Sequence, residues 1–296
     1  MKYVITGAAG NISKPLAEQL LAAGNEVTVI GRNAENLQSL VDQGAKAAIG
    51  ELEDEAFLTA TFAGADAVYT MIPPQYAALD LSAYGALAVK YATAIKANNI
   101  KYVVNLSSVG AHMPEGCGPV SGLYRAEQEL NKLTEVKVLH LRPGYFYFNL
   151  YGNLSMIKSM NILGNNSGDG AAKILLSHPV DIAAAAAEEL LKLSFKDHSV
   201  RYIVSDETTQ GEVAKVIGNA VGKPDLPWVP FSDEQSSEGM LGAGLPAAMV
   251  EKYVEMGVAM RRGKMWEHFL QTQPHEFGKT KLADFAKEFA TVYQAS

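Results

Sequence analysis

The stretch Tyr3-Val4-Ile5-Thr6-Gly7-Ala8-Ala9-Gly10-Asn11-Ile12-Ser13 constrains the fold more than any other part of this chain. Residues 3–5 read as a short buried strand, and Gly7 and Gly10 then turn the chain sharply. Residues 15–21 follow with Leu16, Leu20 and Leu21 at helical spacing. A strand feeding a glycine turn that opens a helix is the context in which such spacing reads as a dinucleotide fingerprint. Gly7 permits a turn that a side chain would strain, and Gly10 permits close approach of the backbone to a pyrophosphate. The free N–H groups of the first helical turn point at that anion. The third small position is Ser13, so the motif is G-x-x-G-x-x-S, a degenerate form that alone also fits an ordinary strand–turn–helix.

A chain of 296 residues with 48% hydrophobic content can bury one large α/β domain, alone or with a smaller lobe. The formal net charge of −7 disfavours direct contact with nucleic acid or an anionic membrane. No apolar run approaches the ~18 residues of a membrane span. The N-terminus does not read as a signal peptide, and Cys117 is the single cysteine, which excludes an intrachain disulfide. A cytoplasmic location is the expectation. Cys117 lies between Gly116 and Gly118 and reads as an unreactive loop cysteine in preference to a reactive thiol. Six scattered histidines and one cysteine give no metal-ligand spacing, so no metal site is expected.

Strands are expected at 26–30, 46–49, 65–72, 101–106 and 136–141, and helices at 33–43, 76–98 and 122–133. This alternation implies a doubly wound, mainly parallel Rossmann-type sheet. At the end of the second strand an acid would hold the ribose 2′-hydroxyl of NAD, whereas an arginine accommodates the 2′-phosphate of NADP. Val29, Ile30 and Gly31 offer no acid, and Arg32 follows them. NADP(H) is therefore favoured over NAD(H), unless Arg32 merely opens a solvated helix. Glu51 and Glu53 suit either this nucleotide edge or a helix start, and Leu52 is placed to lie against adenine. Pro73-Pro74 forces an extended turn where ligands bind in open α/β sheets. Ser107 and Ser108 would face the nicotinamide or cap the turn after their strand.

The second half is less regular. A strand at 172–176, a helix at 180–193 and a strand at 200–205 returning to the main sheet are expected. Capping-box spacing at Thr209-Gln210-Gly211-Glu212 and Ser232-Asp233-Glu234-Gln235 marks two helix starts, and 249–261 and 282–293 read as helices. Residues 223–230 read as a connector or edge strand. The expected division is a nucleotide-binding domain at 1–150, rejoined by 179–206, and a smaller, mostly helical lobe for substrate or partner at 151–178 and 207–296.

Several segments resemble, in order, the NmrA-like branch of the atypical short-chain dehydrogenase/reductase family. They are Thr6-Gly7-Ala8-Ala9-Gly10-Asn11-Ile12, Gly31-Arg32-Asn33, Gly50-Glu51-Leu52-Glu53-Asp54, Leu141-Arg142-Pro143-Gly144-Tyr145-Phe146 with Asn149, and Asp181-Ile182-Ala183. The segment 239–285 also resembles bacterial members. The resemblance implies NADP(H) binding, with Gly7, Gly10, Asn11 and Ile12 at the pyrophosphate and Arg32 and Asn33 at the 2′-phosphate. It implies Leu52 by adenine, Met71, Ile72 and Pro73 along the central cofactor, and Ser107 with Pro143, Gly144, Tyr145 and Phe146 beside the nicotinamide.

One departure from the wider family matters. Its Tyr-x-x-x-Lys pair uses the lysine to ease ionisation of the tyrosine, but Tyr124-Arg125-Ala126-Glu127-Gln128 puts Gln128 at the lysine position. Tyr124 and Ser107 are the catalytic candidates, with Tyr124 alternatively a helix-face residue packing on the cofactor. Two functions follow. The first is an NADPH-dependent oxidoreductase that passes hydride to a small planar acceptor, a quinone or enone, against a wall of Pro74, Tyr145, Phe146 and Phe148; these aromatics equally suit plain packing of the lobe. Such an acceptor yields a stabilised anion that water protonates. The second is a non-catalytic NADP(H)-binding redox sensor with a protein partner. A sugar-nucleotide epimerase is weaker, because that chemistry leans on the tyrosine–lysine pair.

Overall fold

The computed structural model describes residues 1–73, 80–272 and 276–296. The first half alternates strictly: β1 (Lys2–Ile5), α1 (Ser13–Ala22), β2 (Glu26–Gly31), α2 (Gln38–Val41), β3 (Lys46–Ile49), α3 (Glu55–Thr61), β4 (Ala67–Met71), α4 (Leu81–Ala97), β5 (Tyr102–Leu106), α5 (Val120–Leu130) and β6 (Lys137–Pro143). The rest runs β7 (Tyr145–Phe146), α6 (Leu154–Met160), β8 (Leu163–Asn165), β9 (Lys173–Ser177), α7 (Pro179–Lys192), β10 (His198–Ile203), β11 (Asp206–Thr209), α8 (Gln210–Ala220), β12 (Trp228–Pro230), α9 (Asp233–Gly242), α10 (Ala247–Arg261), α11 (Glu267–Gln271) and α12 (Leu282–Ala295).

Seven strands form one sheet in the order β10-β6-β5-β4-β1-β2-β3. Every neighbouring pair in it is parallel. This is the doubly wound Rossmann-type α/β fold that the sequence predicts, with the 200–205 segment returning to its edge as β10. The central strands are apolar on both faces because helices cover both: Val4 and Val68 pack against α4, while Ile5, Tyr69 and Leu141 pack against α1 and α7. The order reverses between β1 and β4, and a ligand crevice opens at such a switch point, outside the carboxyl ends of the strands.

A third apolar cluster gathers Tyr147, Ile157, Leu175, Ile217, Trp266, Phe285 and Phe289 from the less regular half. It surrounds a small sheet, β11-β9-β7, in which β9 runs antiparallel to β11 and parallel to β7. Two expectations change here. The 33–43 segment is not one helix: a 3₁₀ turn at Glu35–Leu37 leads into the four-residue α2, since only Leu37 and Leu40 have core to cover. Thr209 caps α8 through the Glu212 N–H without the reciprocal bond, whereas Ser232 and Gln235 complete the full box at α9. Among the described residues no helix is long and apolar enough to cross a membrane, and no group of three His, Cys, Asp or Glu could hold a metal ion.

Candidate active site

The crevice begins at Gly7. Its φ of +62° favours glycine, and a Cβ there would lie 2.7 Å from the Met71 sulfur. The Gly10 N–H donates to the Gly7 carbonyl at 2.9 Å, closing a tight turn onto α1. Helix α1 has no side-chain cap at its N-terminus, and Pro15 in its first turn has no N–H to satisfy. Open amides at a helix start can hold an anion without any charged side chain. Thr6 fixes the floor: its hydroxyl accepts the Met71 N–H at 3.0 Å, and Tyr91 donates to the Met71 carbonyl at 2.8 Å.

A groove of about 720 Å³ runs from here across the ends of β2, β3 and β4. Gly7, Arg32, Asn33, Leu52, Met71, Ile72 and Pro73, all singled out from the sequence, line it together with Glu51 and Glu53. Arg32 is exposed and makes no ion pair among the described residues. The side-chain oxygen of Asn33 accepts the Glu35 N–H at 2.8 Å, and its amide N–H groups are what it can offer an anionic ligand. Neither glutamate starts a helix: Asp54 is the cap of α3, accepting the Phe57 N–H at 3.0 Å. Both are thereby left facing the groove.

The residues expected beside the nicotinamide do not line this groove. Pro143 ends β6 with its carbonyl on the Val109 N–H at 2.8 Å. Gly144 is wedged where a Cβ would meet the Leu175 carbonyl oxygen at 2.6 Å, and its N–H donates to Ser177 Oγ at 2.7 Å. Tyr145 and Phe146 are β7, paired with Leu176 and Ser177. Burial pushes the Tyr145 phenol up to about 12. Phe146 and Phe148 face each other with ring centres 5.1 Å apart. Pro74 of the expected acceptor wall, and the start of the expected 76–98 helix through Leu79, lie outside the described residues.

Ser107, at the end of β5, is buried and donates its hydroxyl hydrogen to Glu127 Oε1 at 2.5 Å. Glu127 is itself buried on α5, one helical turn past Tyr124, and takes Arg142 Nε on Oε1 at 2.9 Å and Arg142 Nη2 on Oε2. Arg142 reaches further, to the Ala111 carbonyl at 3.4 Å and the Tyr202 hydroxyl at 3.3 Å, and Tyr202 meets His268 Nδ1 at 2.6 Å. Burial alone would lower the Arg142 guanidinium, but its bonds to Glu127 outweigh that and hold it above the ordinary arginine range. Gln128, at the position of the missing lysine, is exposed, while Tyr124 is half-buried. The sequence reading missed the Glu127–Arg142 pair. Its signal was present: Arg142 closes an apolar strand, and Glu127 shares a helix face with Ala126 and Leu130.

Two other polar readings gain a structural account. Asp181 accepts from Ser205 Oγ at 2.6 Å and from the Thr280 N–H at 3.0 Å, so it pins the segment leading into α12 to the main sheet. Cys117 is buried, and that burial pushes its thiol up to about 12, which keeps it protonated and unreactive at neutral pH.

Known proteins place this geometry. Residues 7–149 match the NAD(P)H-binding family. A curated UDP-glucose 4-epimerase from Streptomyces lividans is 35% identical over 63 residues, a match spanning 21% of this chain and only 19% of that relative. The NADPH-dependent quinone oxidoreductase from Escherichia coli, solved with NADPH, superposes with a TM-score of 0.82 at 20% identity, covering 97% of this chain and 99% of that one. The Citrobacter sp. triphenylmethane reductase with NADP(H) gives 0.78 at 19% identity, covering 98% and 100%. The chain thus matches the NAD(P)H-binding family over residues 7–149, and over nearly its whole length it shares the Rossmann-type fold of these solved structures.

Proposed function

We propose that the chain is an NADPH-dependent reductase of a small planar acceptor, a quinone or enone. The observation that carries this is the combination of an Arg32 in the groove that makes no ion pair among the described residues with a β2 end that bears no acid. A guanidinium there favours a 2′-phosphate through parallel N–H donors. The groove fits the dinucleotide: the uncapped α1 amides with Gly7, Gly10, Asn11 and Ile12 suit the pyrophosphate, Arg32 and Asn33 the extra phosphate, and Leu52 the adenine. Met71, Ile72 and Pro73 would carry the middle of the cofactor toward Ser107 and the 143–146 segment.

NADPH, when bound, supplies a hydride. The chain's own residues then orient the acceptor. With Gln128 exposed where a lysine would assist Tyr124, the helix offers no strong proton relay. A quinone or enone suits that arrangement, because the anion formed on reduction is stabilised and takes its proton from water. Phe146 and Phe148 offer ring faces for a flat acceptor. Two fold relatives, described as a quinone oxidoreductase and a triphenylmethane reductase, support the reading. An epimerase would need the tyrosine–lysine pair that this helix lacks.

Following NADPH absorbance with a panel of quinones and enones tests the proposal. Acceptor-dependent oxidation above background is expected. NADPH binding without oxidation by any acceptor would instead favour the sensor reading, to be pursued by comparing partner capture with and without cofactor.

A further inference from the structure

We infer that Asn36 is a specificity-determining residue whose side-chain amide donates to the 2′-phosphate of the dinucleotide, beside the Arg32 guanidinium. This rests on the proposed reading that the end of β2 takes that phosphate. Among the described residues that line the groove Arg32 is the sole cation, and Glu51 and Glu53 add two carboxylates. A phosphate presents three strong acceptor oxygens, and the parallel N–H pair of one guanidinium meets two of them. No second cation in the described lining can meet the third. The side-chain donors left there for it are the amides of Asn33 and Asn36.

Local structure holds Asn36 at this rim. The Asn33 side-chain oxygen accepts the Glu35 N–H at 2.8 Å, and the Leu37 N–H donates to the Ala34 carbonyl at 3.0 Å, which winds the chain into the 3₁₀ turn at Glu35–Leu37. Leu37 anchors that turn from below. It is fully buried, and its side chain comes to 3.2 Å from where a Gly31 Cβ would stand. Between these two anchors Asn36 is exposed and lines the groove, with no side-chain hydrogen bond among the described residues. Its amide can therefore turn an N–H toward a phosphate oxygen without breaking a bond inside the protein. The Glu35 carboxylate, which would repel that group, is not part of the groove's lining. Asn33 also holds the turn through its oxygen, so replacing Asn33 disturbs the turn itself, whereas replacing Asn36 removes the ligand contact alone.

The test is calorimetric titration of wild type, Asn36→Ala and Asn36→Asp with NADPH, NADH and the fragments adenosine 2′,5′-bisphosphate and AMP. Both substitutions fall at an exposed position, where the fold tolerates them. Asn36→Ala should weaken NADPH and the bisphosphate about three- to tenfold and leave NADH and AMP within about twofold. Asn36→Asp keeps the size of the side chain but trades its N–H donors for a negative charge. It should weaken the two phosphorylated ligands about tenfold or more, again sparing NADH and AMP. Equal losses for NADPH and NADH would put Asn36 on the part that the two dinucleotides share and overturn the inference. So would an Asn36→Asp variant whose NADPH affinity is unchanged. A wild type that binds NADPH and NADH alike breaks the reading underneath. A wild type that prefers NADPH, with the preference intact in both variants, breaks only this inference.

Discussion

The groove over β1, β2 and β4 and the polar cluster behind β5 lie in one fold but are built on opposite terms. The groove is made from backbone: Gly7 in a left-handed turn, an uncapped helix, and an exposed Arg32 without an ion pair among the described residues. In the cluster each charge has its partner. Ser107, Glu127, Arg142, Tyr202 and His268 form a chain of hydrogen bonds, most of it buried. A region that leaves amides and a cation open is suited to an anion from outside. A region whose charges are neutralised internally holds its geometry with or without ligand. On the proposed reading the groove supplies affinity, while the cluster supplies a fixed frame.

Removing one partner from the cluster should have the largest effect. Arg142→Met leaves the Glu127 carboxylate buried without its cation, at a cost of about 3–5 kcal/mol in urea unfolding. Glu127→Leu combined with Arg142→Met should recover most of that loss, because no charge is then stranded. A double variant as unstable as the single would show that the pair matters for something other than charge.

Acid should act through a neighbouring polar ladder. Thr70 donates to Asn105 Oδ1 at 2.9 Å, Asn105 meets His140 Nδ1 at 3.1 Å, and His140 Nε2 meets Asn131 Oδ1 at 3.0 Å. Burial holds His140 down at about 4. An unfolded histidine titrates near about 6.5, so between these values the unfolded chain binds the extra proton. Stability from this group should be complete above about pH 7 and fall by about 3 kcal/mol as pH drops from 6.5 through 4. Urea midpoints across that window should flatten in His140→Gln; an unchanged slope would remove the ladder as the acid-sensitive element.

In the groove, Gly7→Ala puts a side chain at φ +62°, against Met71. Strain of about 1–2 kcal/mol and a displaced Met71 should cost NADPH roughly tenfold or more in affinity. The smallest effect is expected at Asp54→Ala, which loses the α3 cap for about 1 kcal/mol of stability and should leave NADPH affinity unchanged. A large binding loss there would extend the nucleotide site beyond the groove.

The frame was legible because parallel strands buried on both faces are short apolar runs between glycine and polar turns. The predicted 101–106 and 136–141 strands fall within two residues of β5 and β6, and 46–49 matches β3, although that edge strand is mostly exposed. The groove's lining was legible for a related reason: Gly7, Arg32 and Leu52 are set by local turns at strand ends. The buried polar cluster was not. Glu127 and Arg142 sit on different elements, and only the packing of α5 onto β5 and β6 makes them partners. Tyr145 and Phe146 read as loop because a two-residue strand has no periodicity; its pairing comes from β9, far along the chain.

The central claim is that the groove takes the phosphorylated dinucleotide through Arg32. Calorimetric titration of wild type and Arg32→Ala with NADPH and NADH tests it most directly. Wild type should prefer NADPH by about tenfold or more, and Arg32→Ala should lose that preference while its NADH affinity stays within about twofold. Equal affinity of the wild type for both dinucleotides, or a preference that survives in Arg32→Ala, would contradict it.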